Sequence, residues 1–96
     1  MARTVGLLKG VSLVTIDVID QTESYPYTAP AGTLAVSVAN LGADTVTVEF
    51  VSAAGTFEVD LTTDVRVYDG YFDGLDTVNV TAGTTYQIEF LKGRSA

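Results

Sequence analysis

The sequence has no cysteine, no histidine and no tryptophan, only two prolines, and five basic residues against twelve acidic ones. Without cysteine there is neither a disulfide nor a thiolate metal site. Without histidine the commonest general base and metal ligand are gone, and a serine or threonine nucleophile has only a lysine or a carboxylate to activate it. The chain therefore reads as non-enzymatic. A net charge of −7 opposes nucleic-acid binding, which draws on cationic surface to displace counterions from phosphates. Long apolar runs are missing too. The most hydrophobic stretch, "LLKGVSLVTIDVI", is broken by Lys9 and Asp17, well short of the roughly 20 residues that span a bilayer. The same break and the lack of a small-residue cleavage pattern argue against a signal peptide. The expectation is synthesis in the cytoplasm, with no membrane partner.

What is present is alternation. Apolar residues make up 47% of the 96 residues, a high share for a single small domain, and they recur at period two, the mark of a strand with one buried face. Val14, Ile16 and Val18 alternate with Thr15 and Asp17. Leu34, Val36 and Val38, then Val46, Val48 and Phe50, then Phe57, Val59 and Leu61 follow the same rule, as do Val65 with Val67, Val78 with Val80, and Tyr86, Ile88 and Phe90. Valine and threonine dominate these runs and suit a pleated surface. No window shows a helical period. Turn residues separate the runs at "NLGAD", "SAAG", "LTTD", "DGYFDGLD" and "TAG", a spacing that predicts an all-β, single-domain antiparallel β-sandwich of seven to eight short strands over residues 1–96, immunoglobulin-like or jelly-roll-like. The one long connection, "DQTESYPYTAPA" from Asp20 to Ala31, holds both prolines and suits a crossing between sheets or an edge, with Tyr25 and Tyr27 exposed or half-exposed.

Ala-Gly-Thr occurs three times, at Ala31, Ala54 and Ala82. The spacings differ, and the apolar phase after the third threonine is shifted by one from the other two. The triplet is therefore turn punctuation opening a strand, and it is not a repeat.

The strongest candidate for chemistry is "DGYFDGLD". Asp69, Asp73 and Asp76, with Asp64 upstream, offer oxygen ligands for calcium. Tyr71 and Phe72 interrupt the alternation of ligands that an EF-hand loop requires, and two Asp-Gly turns around an aromatic segment explain the same residues. No other cofactor is indicated. Tyr25, Tyr27, Tyr71 and Phe72 are candidates for a ligand loop that stacks on sugar faces. Asp17, Glu49, Glu58, Asp60 and Glu89 fall on the polar phase of strands and read as solvated outer faces. At the start, Val5, Leu7 and Leu8 are candidates for an interface: residues 1–10 form either a docking segment that augments another subunit's sheet or an edge strand of their own domain. Arg3, Lys9, Lys92 and Arg94 sit at the two ends of the chain, whereas all twelve carboxylates lie between Gly10 and Leu91.

The stretches "YTAPAGTLAVSVANLGADTVTVEF" and "DTVNVTAGTTYQIEF" resemble small β-sandwich proteins of tailed-bacteriophage virions, among them head-decoration and fibre-associated proteins. The shared features are a Pro-Ala-Gly entry, an Asn-x-Gly turn between valine-rich strands and a late Gly-Thr-Thr-Tyr strand. The resemblance implies a structural virion protein, a homo-oligomer attached to a capsid or tail and in contact with other virion proteins. It supplies no functional residues. The alternative is an immunoglobulin-like adhesion or carbohydrate-binding module working through the Tyr25–Tyr27 or Asp69–Asp76 loop.

Overall fold

The computed structural model describes residues 7–8, 11–72 and 74–93, with side chains from Leu13 onward. Nine strands run through them: β1 (Leu7–Leu8), β2 (Val11–Gln21), β3 (Tyr25–Thr28), β4 (Ala35–Asn40), β5 (Val46–Ser52), β6 (Gly55–Leu61), β7 (Val67–Tyr71), β8 (Leu75–Thr81) and β9 (Tyr86–Gly93). All pairings are antiparallel. One sheet has the order β2-β9-β4-β7, with the two-residue β1 added at the edge of β2; the other has the order β3-β8-β5-β6.

The pairings decide between the two expected topologies. β2 pairs with β9, β3 with β8, β4 with β7 and β5 with β6. The chain is thus a long antiparallel ribbon wrapped on itself, first strand to last, and closed by the β4·β9 and β5·β8 contacts. That is the jelly-roll order. An immunoglobulin arrangement places its first two strands in one sheet, but β2 and β3 lie in different sheets here.

The alternating residues meet between the sheets. Val36, Val38, Tyr86, Ile88 and Phe90 from one sheet pack on Val46, Val48, Phe50, Leu61, Val78 and Val80 from the other, as the period-two pattern requires. β2 departs from the pattern. Its register shifts between Thr15 and Asp17, so that Val18 stands opposite Glu89 and Ile19 opposite Ile88. A bulge at Ile16 therefore turns Val18 off the inward phase and puts Ile19 there in its place, and Ile16 and Ile19 are the β2 residues against the core.

The three Ala-Gly-Thr triplets are all near turns, but only one closes a hairpin. Gly55 ends the two-residue loop between β5 and β6, with φ of 134°. Gly32, with φ of 87°, sits in the β3–β4 crossing, where Thr33 donates its N–H and hydroxyl to the Pro30 carbonyl. Both conformations favour glycine. The third triplet precedes β9 and also crosses between sheets, with the Ala82 N–H donating to the Ser24 hydroxyl. The phase shift seen in the sequence is the signature of that different entry.

Candidate functional site

The acidic stretch is divided by the fold. Asp69 is in the middle of β7, opposite Ser37 of the five-stranded sheet, whereas Asp76 belongs to β8 of the other sheet, where its carbonyl accepts the Ala29 N–H. Asp64 lies in the β6–β7 connection, its N–H donating to the Thr62 hydroxyl. Asp73 lies outside the described residues, as does Val5. Among the described residues no three acidic groups converge as a metal site would need. Asp69-Gly70 is also no turn, contrary to expectation: it is strand. A Cβ at Gly70 would stand 2.6 Å from the Tyr68 hydroxyl, so a side chain there would push aside the ring that lies across it.

The aromatic candidates separate as well. Tyr27 was expected at least half-exposed; it is 7% exposed, because β3 is a true edge strand paired with β8 and its one inward residue fills the core. Pro26 is tolerated at that edge. The Tyr27 and Tyr86 hydroxyls are 2.6 Å apart, and Tyr86 donates to the Glu23 carbonyl. Burial first, and then the Tyr27 hydroxyl, raise the Tyr86 pKa far above the ordinary phenol value. Only Tyr25 is exposed, its ring tilted against Tyr27. Tyr71 and Phe72 face opposite sides of their sheet: Tyr71 packs with Leu13, Ala35 and Leu91, and Phe72 stacks on Phe50 with ring centroids 4.6 Å apart. No pocket opens among the described residues.

Leu7 and Leu8 pair with Ser12 and Val11 as the strand β1, so part of the N-terminal stretch does extend its own sheet. Because Leu13 pairs with Gly93 and Val14 with Lys92, the start of β2 and the end of β9 lie side by side. Lys92 therefore stands at the end of the sheet where β2 begins.

No family model, curated protein or solved structure matches this chain. What the site is must be argued from the surface itself.

Two surface features stand out, and sequence reasoning missed both. The first is a rim where β6 and β7, the outermost strands of the two sheets on the same side, leave apolar side chains in water: Phe57 is 48% exposed, Val65 61% and Val67 40%. Behind it stands an aromatic cluster in which Phe50 lies between Phe57 and Phe72, with Tyr68 tilted against both Phe50 and Phe57. Glu58, Asp60, Asp64 and Asp69 are exposed beside the rim. Val65 and Val67 continue the alternation in the sequence, but Val65 lies in the β6–β7 connection and Val67 stands opposite Ala39 on the outward phase of the edge strand β7.

The second is the outer face of the five-stranded sheet. Glu89 was expected on a solvated face and is 1% exposed. Ala35, Ser37, Ala39, Gln87 and Leu91, on the same outward phase of β4 and β9, are buried too. The Thr15 hydroxyl donates to one oxygen of the Glu89 carboxyl, while Oε1 has no hydrogen-bond partner among the described residues. By contrast Asp17, Glu58 and Asp60 are exposed as expected, and Glu49, partly buried, accepts from the Asn79 amide.

The end of the sandwich is pinned by polar bonds. The Asn40 amide donates to the Asp44 and Leu61 carbonyls, and its oxygen accepts the Gly42 N–H. Arg66 donates to the Asn40 and Gly42 carbonyls. The one basic residue in the acidic body is therefore a structural clamp.

Proposed function

We propose that this chain is a non-enzymatic structural protein of a bacteriophage particle, one that self-associates and attaches to a capsid or tail. The observation that carries this reading is the β6–β7 rim. Burying large apolar side chains is the main source of stability for a domain of this size, and a rim of half-exposed Phe57, Val65 and Val67 at two open sheet edges is a surface made to be covered. Its acidic border selects the partner's chemistry. An identical rim would meet it with like charge, whereas the end of the sheet that holds Lys92 would meet it with opposite charge. The association is therefore head to tail, and such contacts close into rings when the rotation allows.

The jelly-roll order supports the reading at the level of architecture, since viral capsid domains share it with lectin domains and cupins; this is an analogy of fold. The test is the absolute mass in solution of the native chain and of Val67→Lys. The native chain forms a discrete oligomer larger than a dimer, and V67K sediments as a folded monomer. A native chain that stays monomeric at high concentration, or that binds a glycan through Tyr25, removes this reading and favours a binding module.

A further inference from the structure

We propose that β6 is a docking edge: its free main-chain side adds, antiparallel, an extended segment of another protein in which basic and apolar residues alternate. The inference goes beyond the self-association argued above and does not depend on it.

An edge strand in water offers its unpaired N–H and C=O groups to any other chain, and folded proteins blunt such edges with proline, bulges or brevity. Most edges of this sandwich are blunted. β1 is two residues long, and β2, beyond the reach of β1, carries the bulge at Ile16. In β3 the Ala29 N–H donates to the Asp76 carbonyl, so by the alternation of an antiparallel ladder Tyr27 and Tyr25 bond to β8 while Pro26 and Thr28 turn their main chain outward. The missing N–H of Pro26 is therefore on the open side. In β7 the Phe72 N–H donates to Leu34 and Arg66 accepts from Asn40, which turns out Val67, Asp69 and Tyr71, and Asp69 and Tyr71 already have interaction partners. β6 has none of these devices. Ser52 and Gly55 flank its two-residue loop as a bonded pair, so Phe57, Val59 and Leu61 bond to β5 and the main-chain groups of Thr56, Glu58 and Asp60 point into water. All three residues are exposed, in a seven-residue strand without proline, lysine or register shift.

The side chains beside this edge select what adds to it. On the outward face of the sheet, residues of a new strand stand directly opposite Thr56, Glu58 and Asp60. Glu58 already has Glu49 opposite it across the hairpin, a like-charge pair that costs stability, and a cation on its open side offsets that cost. On the inward face the new residues lie beside Phe57, which is 48% exposed, and the half-buried Val59, where apolar side chains take both out of water. The complement is thus an extended segment with lysine or arginine at alternate positions and apolar residues between them: main-chain bonds hold it and the alternating side chains fix its register. A second copy offers no such strand. Among the described residues its basic groups are Arg66, in the β6–β7 connection, and Lys92, in the inner strand β9. Because Phe57 belongs to both surfaces, the segment and a second copy compete for the rim.

The probe is a seven-residue peptide of lysine alternating with valine, capped at both ends and titrated into the dilute native chain while amide hydrogen exchange is followed residue by residue by NMR. The amides of Thr56, Glu58 and Asp60 exchange freely without the peptide and at least about tenfold more slowly with it, whereas those of Phe57 and Val59, already bonded to β5, change little. Attraction between charges alone does not produce that alternation. A counterpart peptide with glutamate in place of lysine binds at least about tenfold more weakly. Glu58→Pro, which copies the device of Pro26 on the opposite edge, lowers affinity for the lysine peptide by about the same factor. Absent or uniform protection along β6 overturns the proposal, and so does a folded E58P that binds as the native chain does. Should E58P fail to fold, the peptide decides on the unaltered chain: methyl groups on the lysine amides, which face β6, abolish binding and methyl groups on the valine amides do not, whereas equal effects refute the pairing. Each of these readings stands whether or not the native chain self-associates.

Discussion

Two regions of this small sandwich are mismatched to a two-layer fold, in opposite senses. The outer face of the five-stranded sheet is buried where it should be wet, down to the carboxyl of Glu89. The β6–β7 rim is wet where it should be buried, with Phe57, Val65 and Val67 in solvent. The difference teaches where each surface looks for its partner. The outer face withdraws apolar and polar side chains alike from water, from Ala35 and Leu91 to Gln87 and Glu89. The rim is uncovered and bordered by acid, and it is the surface that we propose another copy covers.

The largest expected effect comes from the residue joining the rim to the core. Phe50 is fully buried and stacks on both Phe57 and Phe72. Phe50→Ala lowers stability by about 3–5 kcal/mol, read by denaturant unfolding, and loosens the rim along with the core. A cost near that of a surface change would mean that the cluster is not continuous with the core.

Next comes a matched pair on the two outer faces. Glu89→Ala costs about 2 kcal/mol because it leaves a void and strands the groups that served the carboxyl, whereas Glu49→Ala, on the half-solvated face beside Asn79, costs under about 1 kcal/mol. Equal losses would erase the distinction between the faces.

Alkaline titration sharpens the same contrast from inside. The folded state holds the Tyr86 proton more tightly than the unfolded chain, whose tyrosine releases it near pH 10. This contribution is whole below that value and drains away as pH climbs above it. Unfolding midpoints therefore fall steeply above about pH 10 in the native chain and less so in Tyr86→Phe, which is less stable at neutral pH for want of its bonds to Tyr27 and Glu23. Parallel pH profiles for the two proteins would contradict the raised value.

At the rim itself the effect on the monomer is small. Phe57→Ser costs about 1 kcal/mol in stacking yet removes self-association, seen as a drop in sedimentation coefficient. An oligomer that survives F57S would place the contact elsewhere.

How much of this could be read from the sequence depends on what each signal measures. Alternation located β5 and β8 and their inward residues, because burial on one face has period two and those strands have neighbours on both sides; in β9, buried on both faces, the apolar phase still marked the inward Tyr86, Ile88 and Phe90. The prolines marked Asp20 to Ala31 as a crossing or an edge, and Pro26 stands in the edge strand β3. The same alternation failed in β2, where a single extra residue at Ile16 exchanges Val18 for Ile19, and a bulge leaves no composition mark. It failed for Tyr27, whose neighbours Tyr25 and Pro26 look like loop residues until β8 pairs with them. It failed for Asp69-Gly70, where glycine makes room for the Tyr68 ring and makes no turn. Of the candidate site residues, Asp69 and Asp76 were parted because the fold sends adjacent strands to different sheets. Glu89 carries no local sign of burial at all: the polar phase of a strand says which way a side chain points, and not whether something lies on top of it.

The most direct test of the contrast is hydroxyl-radical footprinting of the native chain, read residue by residue by mass spectrometry across a wide range of protein concentration. Phe57 and Val67 should be oxidised in dilute solution and become protected as concentration rises, while Leu13 and Leu91, on the covered face, stay protected throughout. A rim whose oxidation does not change with concentration, or a Leu91 that becomes reactive on dilution, would contradict the contrast between a face buried within the single chain and a rim that another copy covers.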